Sequence, residues 1–447
     1  MSESLRIAAL LQDSEAMREA LGRELLPVTG TSLSVHGLSI DYFRQSPTRL
    51  VAQYSLDMEA EGGTQGVQIV TVSHFTDGRA DKQWNRMRAD APDAEEPVGR
   101  FDLPGARYSS ELQSVVQAFP FDARVPGLRK IVAGTPDVQR LVAHEAADRI
   151  VSWQPEVVRY RPDMRAMARV DVVLEQDGRE TRERVYVKAY REPEEGQRAY
   201  DLLEALAENA TRLDGFQVPR PLAYDAELRI LIISEATGVR LLDIVRDSDA
   251  RQTPDAIRRA ARAVAAMHGA TLPASLLPDS SPAKDAQFAE VAHRLAGTFP
   301  DLASEVHALS DQLQAAFHAT PLRPTHYDLK QGHILINPES VTILDFDKMA
   351  MGDPLIDVAN LVSTLSAGRE RSAGQAERRE TLADLFVAEY FSHVPGDWAS
   401  LFPAHLARAT LLEAATTGRG NRGRKGTMHQ EDRLVSAIRR AEELLAS

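Results

Sequence analysis

The chain has 447 residues and a mass of 49.2 kDa, about three typical domain lengths, so two or three packed units are expected rather than one core. Apolar residues make up 43% and charged residues 26%, which excludes wholesale disorder and a fibrous repeat. The 52 basic and 65 acidic side chains leave a net charge of −13, and there is no cysteine. A general grip on nucleic-acid phosphate or anionic lipid is thereby disfavoured, and disulfides, thiolate nucleophiles and thiolate metal sites are excluded.

The opening stretch MSESLRIAALLQDSEAMREALG is broken by charges throughout, unlike a secretion signal, and no run approaches the roughly 20 apolar residues that cross a bilayer. The expectation is a cytoplasmic protein without membrane or nucleic-acid partners. Met17, Leu21 and Leu25 recur at four-residue spacing before Pro27, which predicts a helix over 14–26. Residues 50–56 and 67–75 are β-rich and flank EAEGGTQG, the pattern of a hairpin. Pro104, Pro120 and Pro126 mark a boundary region, and Thr135-Pro136-Asp137 is a helix start.

A second set of strands is predicted over 157–160, 166–174 and 184–190, with turns at Pro162-Asp163 and Gln176-Asp177-Gly178. Aligning VQIVTVSHFTDG with RERVYVKAYREP sets Ser73 against Lys188, 115 residues later. This suggests a degenerate duplication whose first copy is scaffold; the alternative is two unrelated amphipathic hairpins. Beyond it a helix over 196–209, a buried strand over 229–234 and a long helix from Thr253-Pro254-Asp255 through His268 are expected. The rest reads as helical apart from one β-rich patch.

That patch is THYDLKQGHILINPESVTILDFDKMAMGDPLIDVANL, residues 325–361. Two short apolar strands, 334–336 and 341–344, flank the turn Asn337-Pro338-Glu339-Ser340. Such a hairpin brings His326, Asp328, Lys330 and His333 beside Asp345 and Asp347, a set that can accept a proton, offset phosphate charge and hold a divalent metal. HYDLKQGH followed by LDFD and GDPLIDVANL resembles the catalytic and metal-binding loops of aminoglycoside phosphotransferase and choline-kinase-like enzymes, small-molecule kinases on the protein-kinase fold.

The resemblance implies an α+β, bilobal fold: an antiparallel β-rich N-lobe over 121–237 and a helical C-lobe over 238–447, preceded by an α/β cap domain over 1–120. It implies Asp328 as the residue that accepts the substrate hydroxyl's proton, Lys330 aimed at the γ-phosphate, and Asp345 as a Mg²⁺ ligand. His333 stands where the pattern usually has a ligating asparagine, a change that favours Mn²⁺ relative to the usual site. Asp357 corresponds to an aspartate that braces the catalytic loop. Upstream, Lys188 corresponds to the lysine on the α/β-phosphates, Glu195 to its acidic partner, and Ser234, Glu235 and Ala236 to the hinge whose backbone binds the base. The turn 161–165, with Arg165, stands in for a glycine-rich loop and contains no glycine.

The expected activity is transfer of a γ-phosphate from ATP or GTP to a hydroxyl of a small molecule such as a sugar, amino-sugar, antibiotic or choline-like alcohol. A protein kinase fits less well, because no long activation segment follows Asp345. A pseudokinase scaffold and a metallohydrolase built on His326, Asp328, His333 and Asp345 remain as alternatives. The basic run Arg419, Arg422, Arg424 and Lys425 reads as a solvated loop, with an anion clamp as the alternative. Trp84, Trp153 and Trp398 are scattered and read as packing residues.

Overall fold

The computed structural model describes residues 3–25, 30, 32–143, 149–213, 215–247, 251–279, 281–366, 373–416 and 424–446. They form two compact units, Met1–Tyr200 with Pro221–Ser234 and Asp201–Arg220 with Glu235–Ser447.

The first unit opens with α1 (Glu3–Leu10) and α2 (Ser14–Glu24). Asp13 caps α2 by accepting the amides of Glu15 and Ala16, and Met17, Leu21 and Leu25 pack on Leu50, Tyr54, Leu56, Val70 and Val72. Three long strands follow, β1 (Leu33–Gln45), β2 (Arg49–Ala60) and β3 (Gln65–Phe75). The β2–β3 turn uses Gly62 and Gly63 at φ +106° and +86°, backbone that glycine adopts without a steric penalty. After α3 (Ala80–Asp90) and the two-residue pair β4 (Pro97–Val98) and β5 (Leu103–Pro104), β6 (Ala106–Ser109) and β7 (Ser114–Ala118) complete a sheet of order β1-β2-β3-β7-β6.

Helices α4 (Gly127–Ala133) and α5 (Pro136–Arg140) lead into a second sheet. Its strands are β8 (Arg149–Arg161), β9 (Arg165–Gln176), β10 (Arg179–Tyr190), β11 (Pro221–Asp225) and β12 (Ile230–Ser234), with α6 (Pro193–Leu213) between β10 and β11. Alternation in β9 buries Ala166, Ala168, Val170, Val172 and Leu174 against Val125, Leu128, Ile131 and Val138 from the α4–α5 segment, as the two-residue period of a strand with one covered face requires. Thr135 precedes α5 as anticipated, but its hydroxyl donates to the Asp137 carboxylate and accepts no backbone amide of the first turn.

The second sheet has the order β8-β9-β10-β12-β11, strand for strand the topology of the first. Ser73 on β3 lies opposite Val51 and Val115, and Lys188 on β10 lies opposite Met167 and Leu231. Both first hairpins have two register shifts, at Val35/Gly37 and Ile40/Tyr42 in one and at Ile150/Ser152 and Val157/Arg159 in the other. Arg49, at the head of β2, donates to the Ser73 hydroxyl (2.6 Å) and to Asp163 in the β8–β9 turn (3.0 Å). The Asp163 amide donates in turn to Asp122 (2.8 Å), which also accepts from the Tyr160 hydroxyl (2.9 Å).

In the second unit β13 (Val239–Arg240) precedes α7 (Leu241–Arg246) and α8 (Thr253–His268), the latter with the predicted bounds. Helices α9 (Ser281–Thr298) and α10 (Ala303–Ala316) precede the β-rich patch, made of β14 (Arg323–Thr325), β15 (Ile334–Ile336), β16 (Val341–Ile343) and β17 (Ala350–Gly352). Strands β13-β15-β16 form one small sheet and β14-β17 another. Helices α11 (Leu355–Ser366), α12 (Ala373–Phe391), α13 (Phe402–Thr416) and α14 (Arg424–Ala446) end the chain. Phe288, Leu295, Leu309, Leu313, Leu411, Leu434 and Ile438 tie α9, α10, α13 and α14 into one core. Among the described residues no helix is long and apolar enough to cross a membrane.

Asp163 is buried with its charge met by Arg49, so Arg49→Leu is expected to lower unfolding free energy by about 3 kcal/mol, read from urea denaturation. Burial, reinforced by the nearby Asp163 carboxylate, pushes the Asp122 carboxyl up from 3.8 to about 6. An acid raised on folding binds more protons folded than unfolded, so its contribution to stability is greatest below 3.8 and declines as pH rises to about 6. Asp122→Asn should flatten that part of the stability profile.

Candidate active site

The candidate catalytic segment starts where β14 pairs with β17, Arg323 opposite Gly352 and Thr325 opposite Ala350. The chain then turns sharply at Tyr327, whose φ is +59°. Two features hold this turn. The buried Asp357 carboxylate accepts the amides of His326 (2.5 Å) and Tyr327 (2.8 Å) and lies 3.2 Å from His268 Nε2. Gly352 leaves the room that Tyr327 fills, since a Cβ there would lie 1.7 Å from the Tyr327 hydroxyl oxygen.

His326 ties the two halves of the site together. Its Nε2 donates to the Leu344 carbonyl (2.9 Å) and its Nδ1 accepts from the Asp328 amide (3.2 Å), because a carbonyl can only accept and an amide only donate. Both ring nitrogens are thus committed, which removes His326 from the ligand set of the metallohydrolase alternative. The β15–β16 hairpin sets Ile334 opposite Ile343, and the Leu344 amide donates to the His333 carbonyl at 2.9 Å. Asp345 follows at φ +66° and ψ +58°, a left-handed conformation that turns the chain back toward Asp328.

Asp328 Oδ1 lies 3.0 Å from the Lys348 ammonium and Oδ2 3.3 Å from that of Lys330. Burial of the carboxyl opposes ionisation, but the two ammonium groups outweigh it and hold the pKa below the usual carboxylate range. His333 Nε2 is 3.8 Å from Asp345 Oδ2, and its Nδ1 is buried without a hydrogen-bond partner. Burial pushes the imidazole down to about 4 despite the opposing pull of Asp345, so it keeps a free lone pair at neutral pH. Ligand atoms of Asp328, His333 and Asp345 lie within 4.8 Å of one another. Two carboxylates and an uncharged imidazole at that spacing fit a divalent cation. Asp347 is not in this group.

The four residues 328, 330, 333 and 345 therefore converge within the second unit. Lys188 is buried on β10, Arg165 opens β9, Glu195 is exposed in the first turn of α6, and Ser234 ends β12 just before Glu235 and Ala236. Arg419 and Arg422 lie outside the described residues, and Arg424 opens α14. Trp398 is buried, and the Trp153 indole donates to the Ile131 carbonyl at 2.9 Å. Lys348 was not anticipated; it reaches Asp328 only because the backbone reverses at Asp345, and the sole sequence signal is its place in LDFDK.

The model of the phosphotransferase enzyme family matches residues 168–401, more than half of the chain. The chain belongs to the phosphotransferase enzyme family. Its fold is protein-kinase-like, with antiparallel sheets in the N-terminal part and helices in the C-terminal part. A comparison with curated proteins finds no match. Among solved structures this phosphotransferase is similar to an amicoumacin kinase in complex with AMP-PNP, Ca²⁺ and amicoumacin, at 14% identity and TM-score 0.45, covering 70% of this chain and 96% of that one. An ADP-bound aminoglycoside phosphotransferase matches at 11% identity and TM-score 0.43, covering 69% and 99%. Choline kinase from Cryptosporidium parvum matches at 12% identity and TM-score 0.42, covering 66% and 90%.

In an NMR titration of labelled histidine, His333 should stay uncharged from 6.5 down to about 4; an ordinary midpoint near 6.5 would contradict its burial. Gly352→Ala should cost about 1–3 kcal/mol of stability, read by denaturation, because the new methyl meets the Tyr327 ring.

Proposed function

We propose that the protein transfers the γ-phosphoryl group of a nucleoside triphosphate, ATP or GTP, to a hydroxyl of a small molecule. The observation that carries this reading is the Asp328 carboxylate held between two ammonium groups and within 4.8 Å of ligand atoms on His333 and Asp345. The acceptor hydroxyl hydrogen-bonds to a carboxylate oxygen of Asp328. As the acceptor oxygen bonds to phosphorus and the β–γ bridging P–O bond breaks, the hydroxyl proton passes to that oxygen and nucleoside diphosphate leaves. A carboxyl held below its usual range is a weak base, so Asp328 orients the hydroxyl first and takes its proton late, which suits the loose transition state of phosphoryl transfer.

Lys330 offsets charge on the transferred group, and Lys348 keeps Asp328 ionised and aimed. Mg²⁺, or Mn²⁺ as an imidazole ligand favours, would be held by Asp345 and His333 and would neutralise charge on the triphosphate. In the β-rich lobe Lys188 and Arg165 take the nucleotide phosphates, Glu195 orients Lys188, and the backbone of Ser234, Glu235 and Ala236 takes the base. The domain reading of 1–120, 121–237 and 238–447 accompanies this assignment. The shared strand order and register of the two sheets support a duplication in which Ser73 replaces the lysine and its sheet serves as scaffold.

With Mg²⁺ and a panel of hydroxyl acceptors, turnover is read as nucleoside diphosphate release. Asp328→Asn should lower kcat by about 10²- to 10⁴-fold and leave nucleotide binding intact; wild-type binding without turnover on any acceptor would instead mark a pseudokinase. Lys188→Ala should weaken ATP binding by about tenfold, and Ser73→Ala should leave it unchanged.

A further inference from the structure

An open cavity of about 1130 Å³ lies within the second unit, and Lys330, Gln331 and His333 form part of its wall. The remaining wall comes from β13, α7, α11, α12, α13 and α14. Its charges are uneven. Arg240, Arg246, Lys330, Arg379, Arg433 and Arg440 supply six cations, against two acids, Glu380 and Glu413. The whole chain leans the other way, with a net charge of −13. Three of the six are balanced from outside the wall, Arg240 by Asp243 at 2.7 Å, Lys330 by Asp328 at 3.3 Å and Arg440 by Glu443 at 3.4 Å. Arg246 and Arg433 pair with no acid among the described residues. Like charges gathered around a concave surface repel one another and raise the local concentration of anions.

The hydroxyls in the same wall complement this. Thr364 donates to Leu361, Thr410 to Leu406 and Ser436 to Asp432, in each case to a carbonyl of its own helix. Each proton is spent, so these oxygens can only accept further bonds, Thr364 already taking one from Gln331 at 3.5 Å, a chemistry suited to a ligand rich in O–H donors.

We propose that this cavity is the acceptor pocket and that it selects a polyhydroxylated anion, a sugar or polyol bearing a carboxylate or phosphate. The proposal rests on the phosphotransferase reading and narrows it: amino-sugars and choline-like alcohols, being cations, meet a repulsive wall. Arg246 and Arg433 receive the anionic group, and the Thr364, Thr410 and Ser436 oxygens receive ligand hydroxyls. One ligand hydroxyl is then left to face Asp328.

The test uses the full chain with Mg²⁺ and AMP-PNP and four probes: gluconate, glucose 6-phosphate, glucosamine and choline. Calorimetry should show the two anions binding at least about tenfold more tightly than the two cations. Arg433→Ala and Arg246→Ala should each cost about tenfold in anion affinity while AMP-PNP affinity stays constant. Tighter binding of glucosamine or choline, no binding of either anion, or anion binding indifferent to both substitutions overturns the proposal. The enzyme reading fails separately: anions that bind through Arg246 and Arg433, with no phosphoryl transfer from ATP or GTP to any acceptor, leave the charge preference standing and remove the kinase. Efficient turnover of choline or glucosamine removes the charge preference and leaves the kinase.

Discussion

The buried carboxylate of Asp357 is the anchor of the candidate catalytic segment. It accepts two successive backbone amides, His326 and Tyr327, and faces the His268 imidazole, which is itself 2.9 Å from the Tyr390 hydroxyl. A β-strand offers its amides to a neighbouring strand, and here the strand has just ended, so an acceptor has to come from elsewhere. The carboxylate supplies it and also secures the positive φ of Tyr327, a conformation that costs a non-glycine residue about 1–3 kcal/mol. Because α11 carries Asp357 and packs against α12 and α13, helical packing is converted into a fixed position for Asp328. His326 extends the same tie to Leu344, so hydrogen bonds of the chain itself fix the separation of the two loops.

Charge is distributed around this anchor with local purpose. Asp328 stays ionised because Lys330 and Lys348 outweigh the cost of its burial, whereas His333 stays uncharged because burial outweighs the pull of Asp345. At neutral pH one neighbour is thus charged and the other uncharged, the condition for one to take a proton while the other offers a lone pair. The wall of the adjacent cavity holds more cations than acids, opposite to the balance of the chain as a whole.

The two β-sheets match strand for strand and differ in the side chains at corresponding positions. Arg49 and Arg165 stand at the head of corresponding strands, and Ser73 and Lys188 at corresponding registers. In the first sheet the guanidinium of Arg49 bonds the Ser73 hydroxyl and reaches on to Asp163, so a side chain of one sheet grips the β8–β9 turn of the other. That turn lacks glycine, and Asp163 adopts φ +62° under restraint from Arg49 and Asp122. External hydrogen bonds supply the order that glycine-free backbone would not reach by itself.

Strands with buried apolar side chains were legible: burial alternates in β9, while β2, β3 and β10 carry continuous buried runs, and all four were found, as was α8 with its Thr-Pro-Asp start. Strands β1 and β8 were missed or shortened, and both are edge strands with no fully buried residue, so no apolar run announces them. Asp328, Lys330, His333 and Asp345 were legible as a group because a four-residue turn between two short strands leaves their flanks no choice but to meet. Local periodicity and turn chemistry act over a few residues, and on that scale the sequence alone determined the elements and the catalytic hairpin. The tertiary structure decided what depends on distant segments: the approach of Lys348 to Asp328 across a left-handed residue, the Arg49–Asp163 bond across 114 positions, and a cationic cavity gathered from five helices. Their partners are set by packing and long-range electrostatics, which leave no period in the chain to read.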